Sequence, residues 1–271
     1  MMPGVPNAAI ARQVEQACFD AVYISGAGMA NATGGVPDVG LLTLTEVAQL
    51  AGYIANAVKI PAIVDADTGF GGAQNVARTI RELEAAGLAG CHIEDQEFPK
   101  RCGHLAGKTL VDVEEMAGKI KAAVAARCDP DFLIIARADG RAVEGFDSTA
   151  KRARNYVAAG ADAIFPEALQ NADEFKAFAR EVKGPLLANI TEFGKSPLLS
   201  FKELCDFGYK MVIFPMSAFR VSMKASEEFL CDLKKRGTQS GWIDKMQTRE
   251  ELYELLDYDP DAGSWPGYGS K

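Results

Sequence analysis

Two carboxylates set two residues apart, and a thiol placed among cations, mark where this chain could do chemistry. The run "VDADTGFGG" holds Asp65 and Asp67, and "HIEDQ" adds Glu94. Acidic side chains at close range repel one another and drive their pKa values up unless a cation joins them. Oxygen-only ligands point to a hard ion. A site with room for water and substrate suits Mg²⁺ better than Ca²⁺, with Mn²⁺ as the alternative ion. The ordinary alternatives are helix caps or partners for structural arginines. A few residues on, "KRCGH" sets Cys102 among Lys100, Arg101 and His104. Such a cysteine is a buried apolar residue, a metal ligand or a thiol that exchanges protons. The polar, glycine-bearing loop argues against the first. The neighbouring cations are expected to lower the thiol pKa, and a value near working pH suits a proton donor. A Cys–His nucleophile pair is the competing use, but no acyl-transfer signature accompanies it.

These residues need a frame, and the apolar patterning supplies one. Strand-like runs stand at 21–25, 62–67, 91–95, 132–137, 163–167, 185–190 and 211–215, with a short run near "PGV" as an eighth, earlier strand. Between them lie amphipathic helical patterns at 73–87, 113–127 and 147–160, two of them closed by Gly87 and Gly160. Repeated strand–helix–strand units specify a parallel sheet, and seven or eight almost wholly apolar strands favour an α/β fold closed as a (β/α)8 TIM-type barrel. The chain is expected to be one catalytic barrel domain over 1–271, with extra C-terminal helices at about 223–256 and a flexible tail at about 260–271. Polar residues gather at the carboxyl ends of the strands: Ser25, Asp65, Asp67, Glu94, Asp95, Arg137, Glu167 and Asn189. That is the end where barrels of this type carry active sites. Alternation puts Tyr23 with Ser25, Asp65 with Asp67, and His92 with Glu94 on shared faces. Arg137 ends an otherwise apolar strand; it is either a structural partner of Glu167 or a clamp for a substrate carboxylate. Position alone leaves Arg220 and Arg249 as ordinary surface cations.

Composition narrows the rest. A net charge of −8 argues against nucleic acid or an anionic membrane as the main partner. The six cysteines show no C-x-x-C spacing, so free thiols in a cytoplasmic protein are expected, and two histidines exclude a multi-histidine metal site. No apolar run is long enough to span a bilayer. The start lacks the features of a secretion signal; an organellar address would require that an N-terminal segment had been removed.

Taken in order, "VDADTGFGG", "HIEDQ…KRCGH", "IARAD", "FPEA", "NITEFG", "SAFR" and "MQTREELY" resemble the isocitrate lyase/phosphoenolpyruvate mutase superfamily, over nearly the whole chain from Pro3 to about Tyr258. The similarity is greatest to its methylisocitrate-cleaving branch. The resemblance implies a Mg²⁺-dependent carbon–carbon lyase that splits 2-methylisocitrate into pyruvate and succinate, as in the methylcitrate cycle of propionate metabolism. It places Asp65 and Asp67 at the metal, Glu94 there directly or through water, and Asp38 facing the metal shell. Substrate contacts carry over to Ser25, Gly26, Ala27, Cys102, Gly103, Arg137, Glu167, Asn189, Ile190 and Thr191, and then to Arg220 and Arg249 as clamps on the succinyl carboxylates. Cys102 would protonate the carbanion left by bond cleavage. Tyr23, or Arg137 working with Glu167, would take the hydroxyl proton. A homotetramer with an exchanged C-terminal helix is also implied.

Some features depart from that pattern. The chain begins almost at the first strand, where relatives carry another helix, so an incomplete barrel bottom is one expectation. Ala27 stands where some relatives have glycine. "HLAGKTLV" also resembles 2-alkylmalate and dimethylmalate lyases, which leaves a 2-hydroxy dicarboxylate or oxaloacetate as the alternative to a tricarboxylate substrate. A catalytically impaired barrel is the third reading.

Overall fold

Most strands of the chain end where a run of apolar residues meets a polar one, and a helix follows. The structure, a computed structural model, describes residues 1–262 and residue 265. Its strands are β1 (Met2–Pro3), β2 (Val22–Ile24), β3 (Ala62–Asp65), β4 (Gly90–Glu94), β5 (Leu133–Ala138), β6 (Ala163–Pro166), β7 (Leu187–Asn189) and β8 (Met211–Phe214). All pairings between them are parallel, in two runs, β2-β3-β4-β5-β6 and β1-β8-β7. Two seams join the runs. The Val5 N–H donates to the Tyr23 carbonyl at 2.8 Å, and the Ile164 N–H donates to the Pro185 carbonyl at 3.0 Å. The sheet thus closes into a (β/α)8 barrel, with the "PGV" run serving as its first strand.

Helices separate the strands: α1 (Ala8–Gln16), the short α2 (Gly26–Met29), α3 (Leu44–Ala57), α4 (Ala73–Ala85), α5 (Val113–Ala126), α6 (Phe146–Ala158), α7 (Ala172–Glu181) and α8 (Phe201–Phe207). Gly87 and Gly160 follow α4 and α6 with φ of 91° and 108°, where only glycine is unstrained. Past the barrel come α9 (Ser217–Arg236) and α10 (Arg249–Leu255). The first of the expected terminal helices therefore starts at Ser217 rather than near Met223, because Pro215 ends the strand and the chain turns helical at once. The expected tail falls mostly outside the described residues. None of the described helices is long and apolar enough to cross a membrane.

Alternation along the strands divides the apolar side chains between two clusters. Val22, Ile24, Val64, Cys91, Ile93, Ile134 and Ala136 point outward into the layer shared with the helices. Met2, Tyr23, Ile63, Ile135, Phe165, Leu187 and Ile213 fill the barrel interior. His92 continues that interior stack, parallel to Tyr23 at 5.8 Å and edge-on to Phe165 at 5.2 Å between ring centroids. Above this layer the interior turns from apolar to charged.

Candidate active site

At the carboxyl ends of the strands lies a cavity of about 430 Å³, lined by Tyr23, Ser25, Ala27, Asp38, Asp65, Cys102, Gly103, Arg137, Glu167, Asn189, Thr191 and Arg220 among others. Twelve residues singled out from the sequence thus meet at one place. Gly26 packs beneath them; a Cβ there would sit 2.9 Å from the Asp65 carboxylate. Ile190 is buried in the helix–strand layer. Arg249 is solvent-exposed in the first turn of α10. It does not line the cavity, because α10 packs back toward α1, where Arg12 donates to the Leu255 carbonyl at 3.3 Å.

The carboxylates do not share a strand face as alternation suggested. β3 ends at Asp65; Asp67 takes a left-handed φ of 46° and donates its N–H to Asp65 Oδ1 at 2.9 Å. The Asp67 side chain turns to Lys100, whose ammonium lies 2.7 Å away and also donates to Asp38. Glu94 is wholly buried, with Oε2 2.9 Å from Arg137 Nη1, while its Oε1 accepts no hydrogen bond. Burial pushes the Glu94 carboxyl well above its ordinary range. Burial likewise raises Asp67, to about 6, and Lys100 only partly opposes it. For Asp65, burial is outweighed by His92, Lys100 and Arg137, which hold it at about 2.

Among the described residues, no three side chains from His, Cys, Asp and Glu are gathered as a ready-made metal cage. Two fixed cations, Lys100 and Arg137, stand among the acids, and of the two only the arginine is expected from the sequence. In the sequence Lys100 is only a neighbour of the thiol; a lysine flanked by proline and arginine gives no sign that its ammonium will be buried. The donor set nonetheless fits a hard divalent ion. Every candidate ligand atom is a carboxylate oxygen, and Glu94 Oε1 is a buried acceptor with no donor.

The thiol's surroundings also correct an expectation. Burial raises the Cys102 pKa; it is not lowered. The nearby cations are spent elsewhere. Lys100 is paired with Asp38 and Asp67, the Arg101 guanidinium donates to the Ala106 carbonyl, and His104 Nε2 lies 2.9 Å from Glu167. Cys102 therefore stays a thiol at neutral pH. Its neighbour Gly103 packs so closely that a Cβ would come within 2.4 Å of Arg137 Nη2 and 2.5 Å of Glu167 Cγ. Only glycine lets the thiol loop lie on that pair.

Arg137 is held more tightly than either sequence reading required. Nε donates to Asp139 at 2.8 Å and Nη1 faces Glu94, while Glu167 stands 3.7 Å from Nε and Phe165 lies under the guanidinium. Burial alone would raise Glu167, yet Arg137, His104 and Lys108 overcome it and keep that carboxylate ionised. The Asn189 amide nitrogen donates toward Glu167 at 3.3 Å and leaves its own Oδ1 without a partner. Tyr23 shares a 2.7 Å hydrogen bond with His92 Nε2; burial, with Asp65 adding to it, holds its phenol protonated. At the mouth, Arg220 lies over the Phe193 ring and donates to the Glu192 carbonyl at 3.3 Å.

A parallel barrel with an acidic, thiol-bearing cavity at its carboxyl end defines a class of α/β-barrel enzyme site. Comparison with known proteins places the chain within that class. The family model described as phosphoenolpyruvate phosphomutase matches residues 1–233. A 2-methylisocitrate lyase of Aeropyrum pernix is 54% identical over 94% of this chain and 82% of its own length. One of Shewanella oneidensis is 48% identical over 94% and 87%. Among solved structures, a 2,3-dimethylmalate lyase superposes with a TM-score of 0.90 at 37% identity, covering 94% of this chain and 85% of that one. A phosphonopyruvate hydrolase in complex with oxalate and Mg²⁺ gives 0.85 at 32% identity, covering 94% and 89%. The chain belongs to the phosphoenolpyruvate phosphomutase family, within the PEP mutase/isocitrate lyase superfamily.

Proposed function

We propose that this chain is a carbon–carbon lyase that splits 2-methylisocitrate into pyruvate and succinate. The observation that carries the reading is the meeting, in one cavity, of a protonated thiol, an acidic cluster and an arginine at the mouth. Relatives of that name at close to half identity support the substrate. Asp65, Asp67, Glu94 and Asp38 would hold Mg²⁺, or Mn²⁺ in its place, and the bound ion would supply Lewis-acid polarisation of the substrate oxygen.

The chain's own residues supply the rest. A base removes the proton of the C2 hydroxyl, the C2–C3 bond breaks as the C2 carbonyl forms, and the electron pair stays on C3 of the departing succinate. The Cys102 thiol protonates that carbon, and the thiolate is reprotonated from solvent. For the base, we favour Glu167 working with Arg137, because Glu167 is already ionised, whereas burial and His92 keep the Tyr23 phenol protonated. Arg220 and Asn189, with Ser25, Ala27, Gly103 and Thr191 around them, would orient the carboxylates. Gly26 and Ile190 act from beneath as backbone.

We also infer that the whole chain is one catalytic unit, that it works in the cytoplasm, and that it assembles as a homotetramer exchanging its C-terminal helix. What supports the assembly is α9, which has no buried residue and exposes Val221, Met223 and Leu230, Val221 lining an apolar groove with Ile10, Val14 and Phe214. Only a neighbouring subunit could then bring Arg249 to a cavity. A sedimentation measurement that finds monomers at micromolar concentration would remove the assembly and the role of Arg249 with it.

The reading is tested by a panel of 2-methylisocitrate, 2,3-dimethylmalate and oxaloacetate, assayed with Mg²⁺ and with a chelator. Release of pyruvate from the tricarboxylate, lost on chelation and restored by Mg²⁺, is the expected result. Faster turnover of either dicarboxylate would overturn the substrate, and full turnover in chelator would overturn the metal.

A further inference from the structure

Asp139 binds Arg137 directly, and three segments of the site converge on it. Its side chain is fully buried. Oδ2 accepts from Arg137 Nε at 2.8 Å, and Oδ1 accepts from Arg137 Nη2 at 3.1 Å, Gln96 Nε2 at 3.2 Å and Lys108 Nζ at 2.8 Å. The same Gln96 holds the residue before the cysteine, donating to the Arg101 carbonyl and accepting from the Arg101 N–H, both at 2.9 Å. Lys108 holds the residue after it, its ammonium donating to the Gly103 carbonyl at 2.6 Å. The thiol is thus tied on both sides, and both ties end on one carboxylate that also fixes Arg137.

We propose that Lys108 and Asp139 are positioning residues that latch the thiol loop onto Arg137 and so hold Cys102 over the reacting carbon. The latch rests on the reading of Cys102 as proton donor. A lysine with its side chain only 1% exposed is far from the water its ammonium would otherwise seek, so its two acceptors must replace that hydration. Charge-assisted bonds of this kind are stronger than neutral ones, and among the described residues Lys108 is the partner of the Gly103 carbonyl. Beyond the latch, His104 is held by Glu167 at 2.9 Å and by the Lys195 N–H at 2.9 Å, and only then does the loop run outward, with Leu105 half exposed. Loss of the ammonium should therefore loosen the backbone at Cys102 and Gly103 over the cavity while His104 stays anchored.

Alkylation by iodoacetamide, read peptide by peptide with mass spectrometry in the absence of substrate, tests this. Cys205 and Cys231 are exposed and serve as internal standards. In Lys108→Met, labelling of Cys102 should rise by about tenfold while the standards keep their rates, the loss of a charge-assisted bond being worth that much. Removing a cation cannot by itself favour the thiolate, so faster labelling reports the loop's opening, which exposes the sulfur and lifts the burial that raises its pKa. Turnover should fall in kcat with little change in KM, and Lys108→Arg, which keeps the charge, should restore slow labelling. Lys108→Gln stands in if the methionine variant fails to fold. Unchanged labelling in a folded Lys108→Met or Lys108→Gln protein would overturn the latch. A wild-type protein that labels slowly but does not turn over 2-methylisocitrate would overturn the reading of the site and leave the latch standing.

Discussion

The two halves of the barrel interior hold themselves together differently. The lower half is apolar, filled by Met2, Ile63, Ile135, Leu187 and Ile213. The upper half is equally buried but charged, with Glu94, Asp139, Glu167, Arg137 and Lys108 nearly all sealed from water. Hydrophobic burial stabilises the first at little geometric cost. The second is a network in which each charge needs its partners, and such networks contribute little net stability while fixing positions closely. The apolar layer is therefore assigned to stability and the charged layer to geometry. Lesions in the two should separate activity from folding.

The largest effect is expected at Cys102. Cys102→Ser should cut kcat by about 10³-fold, within the range for loss of a positioned general acid, and leave both substrate affinity and the melting temperature near those of the parent. Because burial raises the thiol pKa, the donor form persists as pH rises through neutrality. The alkaline fall in the parent's kcat should therefore begin above the ordinary thiol range of about 8.5. A serine variant with full activity, or an alkaline fall already complete by pH 7, would break the assignment of the charged layer to geometry for chemistry.

Next come the two candidates for the base. Glu167→Gln should lower kcat by about 10²-fold or more, whereas Tyr23→Phe should lose about tenfold or less, because its phenol is committed to His92. The reverse order would move the base to the tyrosine. Glu167→Gln also uncovers a test of the network. Arg137 and His104 lose a carboxylate partner, but Arg137 keeps Asp139 and Glu94, so stability should fall by only about 1–2 kcal/mol.

How much of this was legible beforehand depended on whether the cause was local. The strands and the α4–α6 helices were, because periodicity of 2 and 3.6 is written directly in runs such as "FLIIAR" and "AQNVARTIRELEAAG". So was the meeting of strand-end polar residues, which follows from parallel strands closing into a barrel. The state of the thiol was not. The cations beside Cys102 in sequence turn to acids from other segments, Lys100 to Asp38 and Asp67, His104 to Glu167, and no spacing rule reports such long-range pairing. The left-handed turn at Asp67, which takes its carboxylate off the Asp65 face, was invisible for a related reason: an aspartate tolerates that conformation without announcing it. Lys108 and Asp139 carry no local signal of their pairing, since a lysine in a glycine-bearing loop ordinarily lies in solvent.

The smallest effect on activity, and the sharpest check on the comparison, lies in the apolar layer. Ile135 is fully buried in the barrel interior, one turn of alternation below Arg137 on the same strand. Ile135→Ala deletes buried methylenes and opens a cavity, which should cost about 3 kcal/mol of stability in denaturant unfolding. The charged layer above is held by its own ion pairs and hydrogen bonds, Arg137 to Glu94 and Asp139 and Lys108 to Asp139 and the Gly103 carbonyl, so kcat at a temperature where the variant is folded should stay within about threefold of the parent. A loss of kcat as large as that of Glu167→Gln would mean the two layers are one mechanical unit. The apolar floor would then set the geometry of the site as well as its stability.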